Sequence, residues 1–136
     1  MGFDLSKNDL NKSSEAGYKF ELVLPDRVTT TGAFITVRGT NSPTVKAFGR
    51  KKFQEMQAEE QRAKRRGKEV DPMTLDEAEE LAVETAYIRI IGWEGIEEGG
   101  KPVEFNESNA KRILKEHSWI REQVIEESDN VSNFLS

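Results

Sequence analysis

The 136-residue sequence has no cysteine and a single histidine, His117. Without thiols there is no disulfide framework, no thiolate metal site and no cysteine nucleophile, and this usage fits a reducing compartment. A zinc site would have to be built from carboxylates around one imidazole, an unusual donor set for that metal. Long apolar runs are missing too. Nothing approaches the roughly 20 residues needed to span a bilayer, and the opening "MGFDLSKNDLNKSSEAG" lacks the apolar core of a secretory leader. There is no P-loop and no GxGxxG, and "GWEGIEEGG" (92–100) lacks the alternating Asp/Asn ligands of a calcium loop. His117 belongs to no nucleophile motif and falls at the end of a predicted helix, where a cation complements the helix dipole. These absences lead to the expectation of a non-catalytic protein without metal or cofactor.

What the chain has in quantity is charge. A third of its residues are charged, with a net charge of −5. The distribution is uneven. Arg50 to Lys68 holds eight basic and three acidic residues, whereas Asp76 to Arg89 holds one basic and five acidic. Glu94 to Glu107 is again acidic by five to one. Length alone predicts one domain.

Residues 1–16, rich in Ser, Asn, Lys and Asp, read as a flexible arm. Residues 17–136 read as a single α+β domain with a polar, frayed segment at 57–72. In "YKFELVL", Tyr18, Phe20, Leu22 and Leu24 alternate with Lys19 and Glu21, the pattern of a half-buried strand. "AFITVRG" is a second, β-branched strand with Ala33, Ile35 and Val37 on one face. The two predict an antiparallel pair joined by a loop, which needs helices to cover it. Ser42 and Pro43 open a helix as N-cap and first helical residue. Its imperfect apolar stripe is Val45, Phe48, Phe53 and Met56, and Gly67 ends it. The strongest helical signal follows. Thr74 and Glu77 form a capping box, with Met73 placed to staple against Ala78. Leu75, Ala78, Leu81, Ala82, Thr85, Ile88 and Ile91 make a broad apolar face, read as the core side, with Gly92 as the stop. Asn106 caps a further helix that turns Ala110, Ile113 and Leu114 inward. Ser118 is the expected cap of the last, with Ile120, Val124, Val131 and Phe134 along it. The expected fold is therefore α+β and mostly helical, a small antiparallel two-stranded sheet packed against about four helices.

Several features lie in a fixed order. "TGAFITVRGTNSPTVKAFGRKK" precedes a helix that ends in "IIGWEGI". Then come "GKPVEF" (100–105), "SWIREQV" (118–124) and "NVSNF" (130–134). In that order and spacing, over residues 18–134, the chain resembles the tail assembly chaperones of long-tailed bacteriophages and prophages. The resemblance implies a non-catalytic assembly factor of the host cytoplasm, absent from the mature virion. Such a factor binds the tape measure protein and keeps it soluble while tail tube subunits assemble around it. It also implies the tail tube protein as a further contact, leaves self-association open, and supplies no motif of binding residues.

Partner-binding candidates therefore come from the residues alone: Phe48, Phe53 and Met56 on the charged helix, and the two tryptophans, Trp93 and Trp119. Methionine and aromatic side chains adapt to varied partners, but the preferred reading of the first three is that they cover the strand pair. For Trp93 and Trp119, packing in the core is preferred to anchoring a partner. Two other functions stay open. One is a small phage nucleic-acid-binding or regulatory protein, resting on "RKKFQEMQAEEQRAKRRGK", although three glutamates interrupt that run. The other is a structural component of the virion.

Overall fold

Strands β1 (Tyr18–Val23) and β2 (Thr30–Val37) pair antiparallel, with Phe20 opposite Ile35. The coordinates, a computed structural model, describe residues 2–135, so Met1 and Ser136, the ends of the expected arm and domain, lie outside them. The fold is α+β and mostly helical. The sheet, however, has three strands rather than two, in the order β1-β2-β3. The third strand, β3 (Ile90–Glu94), comes from residues expected to end a helix. It pairs antiparallel with the other side of β2, placing Trp93 opposite Ile35 and Gly92 opposite Thr36. The reason is local and tertiary together. Ile90 and Ile91 are β-branched, and β2 would otherwise present a row of unpaired backbone groups.

Five helices complete the chain: α1 (Leu10–Ala16), α2 (Pro43–Arg65), α3 (Leu75–Tyr87), α4 (Glu107–Glu116) and α5 (Ser118–Asp129). Part of the expected N-terminal arm is thus the helix α1, with Ser14 fully buried. Its Glu15 reaches the start of α2. There it accepts hydrogen bonds from Ser42 Oγ (2.5 Å), Thr44 N (3.1 Å), Thr44 Oγ1 (2.9 Å) and Arg38 Nε (3.1 Å). Ser42 caps α2 as the sequence predicts. At the other end, Gly67 takes a positive φ of 67°, and Lys68 N donates to Ala63 O, a six-to-one closure of the helix.

The core lies between one face of the sheet and helices α3, α4 and α5. Ala33, Ile35 and Val37 are buried on that face as their alternation requires, and Ile113, Leu114, Ile120, Val124 and Phe134 meet them. Gln123 closes the free edge of β1. Its Oε1 accepts from Val23 N, and its Nε2 donates to Val23 O. Two caps differ from expectation or extend it. His117, not Ser118, is the N-cap of α5 and makes no side-chain cap bond, because α4 and α5 abut at that residue. Asn130 stops α5 and caps a short 3-10 turn, Val131–Phe134, that buries Phe134.

The acidic turn "EEGGKP" is a two-stranded hairpin of β4 (Glu97–Glu98) and β5 (Lys101–Pro102). Gly99 and Gly100 have φ of 57° and 80°, the conformation a two-residue hairpin turn demands.

Candidate functional site

Helix α3 begins where the sequence says it should. Thr74 Oγ1 accepts from Glu77 N at 3.1 Å, and Thr74 N donates back to the Glu77 carboxylate. What the sequence misplaces is the rotation of the helix. The residues α3 turns into the core are Val83 and Ala86. The face expected to be buried is turned to the edge of the core: Ala78 is exposed, and Leu81, Ala82, Thr85 and Ile88 are half-buried.

That face is the floor of an open groove. Met73, Ala78, Leu81, Ala82 and Thr85 line one wall and Ile125 of α5 lines the other, around a cavity of about 540 Å³. The rim carries Arg121, Glu122 and Glu126. Arg121 donates to Leu114 O, and Glu126 forms a two-bond pair with Arg27. The charge of Glu126 is thus engaged within the fold, whereas Arg121 has no carboxylate partner among the described residues and Glu122 has only a loose contact with Arg27 at 3.9 Å. A second hollow of about 370 Å³ lies between α2 and α3, lined by Val45, Phe48 and Ile88 and sharing Leu81 and Thr85 with the first. The two make one apolar surface from α2 across α3 to α5. Large exposed apolar surface rimmed by polar groups marks interaction sites in soluble proteins.

The expected site residues fall into two places. Phe48, Phe53 and Met56 are together on α2, outside the buried core, so covering the strand pair is not their role. Phe48 lines the inner hollow, with the Lys52 ammonium over its ring. Lys52 also pairs with Glu84 of α3 at 2.8 Å, and that hydrogen bond raises the Lys52 pKa. Beyond Lys52 the helix continues without a buried residue, and Phe53 and Met56 stand 60% and 57% exposed. Trp93 and Trp119 are elsewhere. Trp93 is half-buried on β3. Its Nε1 donates to Val103 O at 2.8 Å, and its ring meets Phe105 edge-on at 5.0 Å. Trp119 packs against the core and lines a separate cleft of about 260 Å³ with Ile96 and His117.

The groove residues Ala78, Leu81, Ala82, Thr85 and Ile125 were missed as a site because apolar periodicity reads as core. A signal for them was present. Helix α3 carries apolar residues on two faces, and one sheet can cover only one of them. Among the described residues, no helix is long and apolar enough to cross a membrane, and no cluster of three or more His, Asp or Glu could hold a metal ion.

Fold and surface together define a small α+β protein whose most developed surface feature is an uncovered apolar groove rather than a cluster of reactive groups. The model of the YdaY prophage protein family matches residues 48–136, and the chain belongs to that family. The matched stretch runs from Phe48 through α5 and so includes the whole groove. No curated protein and no solved structure matches the chain.

Proposed function

We infer that this prophage protein is a non-catalytic tail assembly chaperone, which binds apolar helical segments of the tape measure protein and keeps them soluble. The observation that carries this reading is the outward face of α3. A helix face patterned for burial is left open at Ala78 and only half-covered at Leu81, Ala82 and Thr85. A helix lying in such a groove is a recurrent mode of peptide recognition, read through anchors spaced three and four residues apart. Phe53 and Met56 extend the apolar surface along α2 with side chains that can adapt to more than one segment. The ordered features "GKPVEF", "SWIREQV" and "NVSNF" support the same reading through their resemblance to that class. On this reading the protein works in the host cytoplasm, makes a further contact with tail tube subunits, and is missing from finished particles.

Co-expression with a tape measure protein of the same prophage should raise the soluble yield of that protein. Holding an apolar segment depends on buried area, while rim charges mainly alter the association rate. Ala78→Asp, at an exposed position of the groove, should therefore abolish the rescue, and Lys64→Glu with Arg65→Glu should leave most of it. No contact with a tape measure protein in co-expression or pull-down would defeat the reading. Salt-dependent retention on DNA would move the function to the basic end of α2, and recovery from purified particles would make it a virion component.

A further inference from the structure

We propose that two copies of this chain associate reciprocally, the outer half of α2 of each docking into the α3–α5 groove of the other. The chain carries both halves of the contact, and within one copy they do not meet. Phe53 and Met56 are one helical turn apart on α2, and neither lines the groove of its own chain. An isolated helical stretch of that length is marginal in water, so a surface for it to lie on would stabilise it.

Charge argues for the same occupant. Arg50 and Lys64 lie three residues before and eleven after Phe53, which helical spacing places on its flank. Both are exposed, and among the described residues no ion pair engages either. On the groove side, Glu122 lines the rim, and its ion contact is a loose one to Arg27 at 3.9 Å. Arg121 shares that rim and donates to Leu114 O. Asp76, Glu79 and Glu80 lie outside the groove lining and have no cationic partner among the described residues, so they add to the negative field of α3 from its other flank. A basic α2 and an acidic α3 on one chain are complementary between copies. A two-fold arrangement fills both grooves at once and closes as a dimer. The proposal stands whether or not the tape measure protein is the physiological partner.

The test is sedimentation velocity of the full chain over a range of concentrations at low and moderate salt. A reversible dimer that weakens as salt rises is expected. Phe53→Asp should sediment as a monomer with an unchanged far-ultraviolet circular dichroism spectrum. Arg50→Glu with Lys64→Glu should weaken association about tenfold, and Glu122→Lys should weaken it in the same direction. Mixing those two charge variants should restore the dimer, because each then offers the other a complementary pair. If Phe53→Asp changes the spectrum, the charge variants and their mixture decide. A chain that is monomeric throughout, or a dimer that neither Phe53→Asp nor the charge variants alter, overturns the proposal. So does a monomer that binds only an added apolar helix from the tape measure protein, an outcome that would leave the chaperone reading standing.

Discussion

Everything proposed about the groove rests on how α3 is covered, and two truncations compare its open start with its buried second half. Val83 is 5% exposed and touches the core, whereas Leu75 is 89% exposed. Val83→Ala removes two methyl groups, worth about 0.8 kcal/mol each in transfer, and leaves a cavity that the neighbouring Ile113 and Leu114 side chains fill only in part. The expected loss is about 2 kcal/mol or somewhat more. Leu75→Ala removes more hydrocarbon but from water, so its effect should stay within about 0.5 kcal/mol, as for other surface changes. Were the start of α3 covered as its later turns are, the order would reverse, because a buried Leu→Ala costs about 2–5 kcal/mol. Urea unfolding followed by circular dichroism, at concentrations dilute enough to keep the chain monomeric, gives both numbers from shifts in midpoint at constant slope. A Leu75→Ala loss above that of Val83→Ala would mean that the start of α3 is covered, and the open end of the helix beside the groove would not exist.

Other perturbations probe the frame that holds the site. Thr74→Ala removes the hydroxyl that accepts from Glu77 N and should cost roughly 1 kcal/mol; an unchanged midpoint would place the start of α3 elsewhere. Glu15 is held at about 2 chiefly by the Ser42 hydroxyl, with the Thr44 amide and hydroxyl and the Arg38 guanidinium helping and burial opposing. Its folded form is the stronger acid, so the stability it contributes is complete above its ordinary value of 4.5 and is lost as pH falls toward about 2. The pH dependence of the urea midpoint across that window should therefore be shallower in Glu15→Gln than in the native chain, and equal slopes would refute the Glu15 link between α1 and α2. In a Trp119→Phe background, Trp93 should emit to the blue of water-exposed tryptophan, and Trp93→Ala should cost about 3 kcal/mol or more. Water-like emission with little loss of stability would instead make Trp93 an exposed anchor.

Features whose causes are local could be read from the sequence. Thr74 and Glu77, Ser42 and Pro43, Asn106, and the Gly99-Gly100 turn each act within a few residues, and each is found where its chemistry calls for it. The alternation of Ala33, Ile35 and Val37 was equally legible, because one side of a strand pair has to be covered. The failures involve choices that only a neighbour can make. Ile88 and Ile91 continue the 3.6-residue pattern of α3, yet Ile90 and Ile91 have a stronger claim as a strand once the open edge of β2 is beside them. The arm before Tyr18 gave no apolar signal. Its α1 is held through the polar contacts of Glu15, which periodicity does not register.

The same limit explains why the candidate site was visible only in part. Phe53 and Met56 stood out because a charged helix has no local reason to carry them, and they are indeed exposed. Leu81, Ala82 and Thr85 did not stand out, because an apolar stripe looks the same whether its partner is in the chain or outside it. The composition of α3 removes the ambiguity. Val83 and Ala86 already satisfy the sheet side, so the second stripe is covered only at its edges, by Ile125 of α5 and by Val45 and Phe48 of α2. An uncovered stripe of this kind costs solubility unless something occupies it for much of the time. If a second copy does so through α2, then any apolar helix from a partner competes with self-docking, and its apparent affinity falls by the fraction of grooves already filled. The chain would then remain soluble while idle and release its groove only to a segment that binds better than its own α2.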